Sequence, residues 1–325
     1  MNFHKRLGLI SVQRDLARLE TRLAESVTFG DEYLDTVTAR LIHAGGERLR
    51  PLLAIASATG GERPASPDDF SGAVALELMH LASLYHDDVM DGADVHCDVD
   101  NVNARDGNLI AIVAGDYLMA RSAAIAADLG APAAGLLAHT LASRTRGQIC
   151  EVRTAYSLER TESDYLNVIE AKSAAQMASS CRMGALTARR DERESRALSE
   201  FGRCFGMVYQ LRDDIVDVLA TDNELSKPAG QDLAEGIYNL PTLFALRDAH
   251  LGDELRALLG APLNDDERER ARKLVIATDA VAQTVAAAQK FLGLAHRALQ
   301  DVKSEALQRG FASLIEVLLE DLPSY

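Results

Sequence analysis

The sequence predicts an all-α protein, one large bundle of long helices spanning residues 1–325 as a single domain. Three observations carry this. Between Pro132 and Pro228 lie 95 residues without a proline, and another 60 separate Pro262 from Pro323. Within those stretches apolar residues recur at i, i+3, i+4 and i+7, the spacing of one helix face. The chain is Ala- and Leu-rich, lacks Trp and has only 5% aromatic residues, which favours helix over sheet. No apolar/polar alternation runs beyond a few residues, and no repeat or low-complexity linker divides the 325 residues.

Taken in order, Leu7, Ile10, Leu16, Leu19 and Leu23 line an opening helix. A second carries Leu34, Val37 and Leu41 and ends at Gly45-Gly46. Pro51 suits the first turn of a third, which Gly60-Gly61 closes. Ser66-Pro67-Asp68-Asp69 starts a helix that runs to about Asp91, and the polar segment from Gly92 to Asp106 reads as a loop. Helices follow at about 107–128, 133–154, 162–190 and 193–219, then a polar loop at about 220–236 and shorter helices.

Charge excludes some functions. With 34 Lys+Arg against 49 Asp+Glu the net charge is −15, so the long-range field repels nucleic acid and anionic membranes. An anionic substrate held through a metal remains allowed. Residues 1–9 lack a signal-peptide apolar core, and no run approaches ~18 uninterrupted apolar residues. Cys97, Cys150, Cys181 and Cys204 form no CxxC pair and read as reduced thiols of a cytoplasmic protein.

Two segments match each other. Tyr-His-Asp-Asp-Val-Met-Asp supplies Asp87, Asp88 and Asp91; Leu-Arg-Asp-Asp-Ile-Val-Asp supplies Asp213, Asp214 and Asp217. In each, the first and last carboxylates are i and i+4 and share a helix face, with the middle one about 100° round. Three like charges in one and a half turns destabilise a helix, and each set follows an apolar run rather than lying on a solvated face. Mg²⁺ resolves the conflict, because it binds carboxylates while substrate phosphates fill its other positions. One such copy is ordinary acidic surface. Two copies, each followed by a polar loop, point to diphosphate binding. A di-iron carboxylate bundle is the other all-α metal reading; Glu77-Leu-Met-His80 fits its ExxH spacing, but that architecture needs two and there is one.

On these motifs the chain resembles the polyprenyl synthetase family, the trans-isoprenyl diphosphate synthases. The similarity runs from Gly45-Gly46-Glu47-Arg48-Leu49-Arg50-Pro51 to the C-terminal helices. It includes Gly115-Asp116-Tyr117, Lys172-Ser173, Tyr209-Gln210 and Lys227-Pro-Ala-Gly-Gln-Asp232. The resemblance implies helices around a deep apolar cavity with both aspartate motifs at its mouth, and a homodimer. It implies three Mg²⁺ bridging Asp87, Asp88, Asp91, Asp213, Asp214 and Asp217 to an allylic diphosphate. Ionisation then releases pyrophosphate, and isopentenyl diphosphate attacks the allylic cation. By the same resemblance Lys172 and Lys227 neutralise the leaving diphosphate, and Tyr209 and Gln210 lie near the allylic unit. Asp232 supports the second metal site, and Arg48, Arg50 and His80 bind isopentenyl diphosphate.

The chain departs from the family in that last site. Glu47 stands where the family motif has a lysine, and His96 and Cys97 replace an Arg-Arg pair, with Asp98 and Asp100 close behind. Later, a frequent Gly-Lys becomes Gly236-Ile237. Lys to Glu changes the local charge by two units, and a unit pair at 4 Å is worth ~4 kcal/mol at an effective dielectric near 20. Three functions follow: chain elongation, a terpene-synthase-like lyase or cyclase that needs no isopentenyl diphosphate, and a non-catalytic subunit of a heteromeric synthase. Few aromatic residues (Tyr85, Tyr117, Phe205, Tyr209) are placed to hold migrating cations, which disfavours elaborate cyclisation. The intact carboxylates, taken as buried, disfavour a non-catalytic subunit. Elongation is the leading expectation.

Product length has one handle. Ala82 and Ser83 lie one turn before Asp87, where the resemblance implies that an aromatic residue forms the cavity floor of short-chain enzymes. A turn rises about 5.4 Å, close to an isoprene unit. Small residues there leave the cavity open for a C20 or longer product, with Met79 and Leu78 as the floor. A close helix-packing contact accounts for Ala82 and Ser83 nearly as well.

Overall fold

Gly8, at φ 70°, interrupts the opening apolar stretch and splits it into α1 (Phe3–Leu7) and α2 (Ile10–Ser26). A computed structural model describes residues 3–92, 95–96, 99–220 and 228–322, with residues 95, 96, 99 and 100 placed as backbone alone. There follow α3 (Glu32–Ala44), α4 (Leu49–Thr59) and α5 (Pro67–Asp91). Strands β1 (Val95–His96) and β2 (Val99–Asp100) pair antiparallel, Val95 opposite Asp100. Next come α6 (Val102–Asp106), α7 (Asn108–Asp128), α8 (Ala131–Thr154) and α9 (Glu162–Ile169). A π-helical turn at Glu170–Ala174 leads into α10 (Ala175–Thr187) and α11 (Glu192–Leu219). The remainder is α12 (Gln231–Ala234), α13 (Leu240–Ala245), α14 (Gly252–Leu258), α15 (Asp265–Ile276), α16 (Ala280–Leu299) and α17 (Glu305–Glu320).

The all-α class holds, with three local corrections. The 92–106 loop contains a two-residue hairpin and a helix, too short for their pattern to stand out in sequence. The expected 162–190 helix is three segments, because its hydrogen-bond register changes at Glu170–Ala174. Helix α7 is long and apolar enough to cross a membrane by length and composition, at mean hydropathy 1.5. Counting uninterrupted apolar residues misses it, since Asp116 and Arg121 break the run.

The chain forms two compact units. The first comprises Met1–Leu141, Gln176–Gly202 and Ala298–Ser313. Its centre is α5, which begins at a capping box: the Ser66 hydroxyl accepts from the Asp69 amide, and the Asp69 carboxylate accepts from the Ser66 amide. Gly92, in the left-handed conformation, ends it beside the first aspartate motif. Nearly every α5 residue from Gly72 to Ser83 is buried, so this stretch packs against protein on all sides. Gly115 lets α7 approach it: a Cβ there would overlap the His86 ring and lie 3.1 Å from the Ala82 carbonyl oxygen.

The second unit comprises Ala142–Ala175, Arg203–Arg297 and Leu314–Tyr325. Tyr165, Ile169, Met207, Leu211, Val218 and Tyr238 belong to its core. Gly147 on α8 faces the π-helical turn, where a Cβ would sit 3.0 Å from the Lys172 amide nitrogen.

Candidate active site

The first aspartate motif occupies the last turns of α5. Asp88 is buried, Asp87 half-buried and Asp91 exposed. Asp88 shares its inward face with Tyr85, whose hydroxyl donates to the Val37 carbonyl at 2.6 Å. The Asn103 amide donates to the Asp88 carbonyl at 3.2 Å, tying α6 to the end of the motif. A small cavity there is lined by Leu41, Tyr85, Asp88, Val102, Asn103 and Ala111.

In the second motif, on α11, Asp214 and Asp217 are buried and Asp213 is half-exposed beside Arg212 at 3.5 Å. Three of the six motif carboxylates are therefore buried, where the sequence reading took all six to be. The reason is angular: α11 turns positions 214 and 217, not 213, toward its core. The Asp217 carbonyl accepts from the Gly230 amide at 2.8 Å, which anchors the segment carrying Asp232.

Asp214 is held from both sides. The Tyr165 hydroxyl donates to its Oδ2 and the Gln210 amide to its Oδ1 at 3.3 Å; Gln210 in turn accepts from the Ser173 hydroxyl at 2.7 Å. Burial, then the nearby Asp232 and Asp213 carboxylates, push Asp214 well above the usual carboxylate range despite those donors. Burial and Asp214 likewise raise the Tyr165 phenol, so it stays a donor. Asp232 accepts from Asn239 at 3.3 Å, and Asn239 also caps α13.

Lys172 sits in the π-helical turn, a distortion frequent at functional sites, and pairs with Glu151 of α8. The Tyr209 ring stacks on Phe205 at 6.2 Å. Lys227 and Cys97 lie outside the described residues, and His96 is placed only as backbone in β1.

The Gly45–Pro51 segment divides its charged residues sharply. Gly45, Gly46 and Arg48 all have positive φ, so the chain reverses tightly into α4. The Arg48 guanidinium is buried and engaged internally: Nε pairs with Glu20 at 2.8 Å, Nη1 with Glu77 at 3.0 Å, and Nη2 with the Ile42 carbonyl at 2.8 Å. These partners engage the guanidinium donors within the loop. The pairing also accounts for Glu77, the first residue of the ExxH pattern, as a partner of Arg48 rather than of iron. Arg50 is half-buried and donates through Nε to Gln176 at 2.9 Å, while Glu47 is exposed. His4 lies near Glu47 and Glu20, and burial lowers its pKa despite them. His80 is half-buried and its carbonyl accepts from Ser83 at 2.6 Å. Ala82 and Ser83 are both buried, Ala82 at the close approach of Gly115.

A hard divalent cation fits this donor set. Asp213, Asp214 and Asp232 repel one another, and the donors on Asp214 orient it without supplying a positive charge. Among the described residues no three His, Cys, Asp or Glu side chains form a complete metal site.

A family model described as polyprenyl synthetase matches residues 31–276. The chain belongs to the polyprenyl synthetase family. As a member it is similar to the nonaprenyl diphosphate synthase of Mycobacterium tuberculosis, at 35% identity over 94% of this chain and 92% of that protein. It is also similar to heptaprenyl diphosphate synthase component 2 of Geobacillus stearothermophilus, at 36% identity over 86% and 87%. Among solved structures, a polyprenyl synthase from Caulobacter crescentus complexed with calcium and isoprenyl diphosphate superposes with a TM-score of 0.88. It is 26% identical, with 98% of each chain covered.

Polyprenyl synthetase membership accounts for the paired aspartate motifs. It does not by itself single out Tyr165, Glu151 and Asn239, which carry no motif in the sequence. No local signal marks Glu151, whose partner Lys172 lies 21 positions away. Tyr165 is one apolar-face residue among many until Asp214 is seen beside it.

Proposed function

We propose that this polyprenyl synthetase acts on an allylic prenyl diphosphate and transfers the prenyl group to isopentenyl diphosphate. The allylic carbon–oxygen bond breaks and pyrophosphate leaves. The double bond of isopentenyl diphosphate then forms the new carbon–carbon bond, and a proton is lost to restore an alkene. The buried, doubly clamped Asp214, with Asp213 and Asp232 against it, is the observation that carries this reading. Asp87, Asp88, Asp91, Asp213, Asp214 and Asp217 are the proposed ligands of Mg²⁺, three ions with substrate bound. When bound, Mg²⁺ supplies Lewis-acid stabilisation of the leaving oxygens.

The residues of this chain do the rest. Lys172 carries positive charge beside the second motif for the departing pyrophosphate, and Glu151 holds its ammonium in place. Lys227 has the same proposed role. Gln210 orients Asp214, and Tyr209 with Phe205 offers an apolar wall to the prenyl chain. Arg50 and His80 are the proposed contacts to isopentenyl diphosphate. We take residues 1–325 to act as one catalytic domain of a cytoplasmic homodimer whose product is C20 or longer.

Exposed Glu47 favours a second reading, a terpene-synthase-like lyase, because it puts an anion where a second diphosphate would bind. The deciding experiment incubates the protein and Mg²⁺ with geranyl, farnesyl or geranylgeranyl diphosphate, with and without isopentenyl diphosphate. Longer diphosphates formed only with both substrates support elongation. Hydrocarbon or alcohol from the allylic substrate alone establishes the lyase. No pyrophosphate release in either arm leaves a supporting subunit of a heteromeric synthase.

A further inference from the structure

Arg160 and Tyr165 lie outside every motif that located the site, yet both are buried next to Asp214. A capping box at Thr161 and Asp164 starts α9 between them, so one on each side of the helix start points into the core of the second unit. The Arg160 guanidinium carbon lies 5.3 Å from the centre of the Tyr165 ring. Its Nη1 donates to the Tyr238 carbonyl at 3.3 Å, while Nε and Nη2 are buried without a hydrogen-bond partner. A buried guanidinium with unmatched donors is unfavourable on its own. Burial lowers the Arg160 pKa, and Glu151, Tyr165, Asp214 and Asp164 offset that only in part.

We propose that Arg160 and Tyr165 are positioning residues for Asp214: the guanidinium seats and polarises the phenol, and the phenol hydroxyl fixes the carboxylate that receives the divalent cation. A cation over a ring face draws electron density from it, which makes the phenolic O–H a better donor. Tyr165 on Oδ2 and Gln210 on Oδ1 hold the carboxylate at both oxygens and fix its plane. Ser173 closes the arrangement by fixing Gln210. Thus residues 160–173 supply Tyr165 as one donor to Asp214, the Ser173 hydroxyl that fixes the other, and Lys172. The proposal rests on the prenyltransferase reading above.

The test measures Mn²⁺ binding by electron paramagnetic resonance in the presence of inorganic pyrophosphate, using the full chain. Wild type is compared with Tyr165→Phe, Arg160→Met and Ser173→Ala, and circular dichroism checks folding. Tyr165→Phe is expected to weaken Mn²⁺ binding by about 10- to 100-fold, as loss of a partner behind a metal ligand does. It should raise the Mg²⁺ needed for half-maximal turnover by a similar factor and recover turnover at high Mg²⁺. Folded Tyr165→Phe with wild-type Mn²⁺ affinity overturns the proposal. If Tyr165→Phe does not fold, Arg160→Met decides: a several-fold loss supports the proposal and unchanged affinity overturns it, while Ser173→Ala reads the Gln210 side of the carboxylate separately. Wild type that binds no Mn²⁺ with pyrophosphate instead overturns the prenyltransferase reading itself.

Discussion

Arg48 and Glu77 form an ion pair at 3.0 Å with both side chains buried, and Glu20 closes the other edge of the guanidinium at 2.8 Å. Arg48 itself stands in the left-handed conformation, uncommon for a non-glycine residue, with its side chain held by that pair. The loop's two arginines therefore do different work. Arg48 holds the turn, and Arg50 and Glu47 are what the turn presents.

Breaking that pair tests the division. Glu77→Ala leaves a buried guanidinium with one carboxylate fewer, and we expect about 3–5 kcal/mol of destabilisation. Urea unfolding at pH 7 reads it. Allylic diphosphate affinity of the folded fraction should stay at the wild-type value.

Mutation tests the charge at the proposed second substrate site. The triple change Glu47→Lys, His96→Arg, Cys97→Arg restores cations at three positions. Elongation with isopentenyl diphosphate should rise at least about tenfold, the equivalent of ~1.4 kcal/mol. An unchanged steady-state rate would show that these positions do not govern the second substrate.

Acid lability should centre on Asp69. Burial pushes this carboxyl up, but hydrogen bonds from Arg63, the Ser66 amide and hydroxyl, and Thr187 outweigh burial and hold it below the usual carboxylate range. Its folded pKa lies under its unfolded one, so its stabilisation is complete above the unfolded value and lost as pH falls through the folded value. Asp69→Asn should flatten stability below about pH 4 and cost ~1 kcal/mol at pH 7 through the weakened cap. Chemical denaturation from pH 2 to 7 measures both.

Asp214 carries the opposite sign. Its folded pKa is raised, chiefly by burial and by Asp232, so ionising it opposes folding as pH rises from the unfolded value toward the folded one. Asp214→Asn should therefore stabilise the metal-free protein at pH 7, on the order of 1 kcal/mol or a few degrees in Tm. The same change should abolish turnover. A lower Tm would show that Asp214 is stabilising without metal.

Product length is read at Ser83. An aromatic side chain there, one turn of about 5.4 Å from Asp87, should shorten the product by at least one isoprene unit. Chromatography of dephosphorylated products from Ser83→Phe settles it. Unchanged length would mean that Ser83 serves helix packing, as Ala82 does against Gly115.

Much of the fold was legible locally. Proline spacing and 3.6-residue periodicity are properties of short windows, and so are the Ser66 and Gly92 helix ends. Both aspartate motifs were legible for the same reason. The π-helical turn was not, because a single register change leaves the apolar pattern nearly intact.

By itself, the sequence determined that the protein is helical, that it carries two carboxylate triplets, and that anionic or neutral residues replace family cations at Glu47, His96 and Cys97. Tertiary structure alone decided which carboxylates lose water: Asp88, Asp214 and Asp217, but not Asp91 or Asp213. It alone assigned Arg48 to the scaffold and brought Tyr165 onto Asp214 and Glu151 onto Lys172. The physical reason is range. Helix patterns arise from neighbours within four residues, whereas burial and ion pairing depend on partners 20 to 50 positions away, which no local pattern specifies.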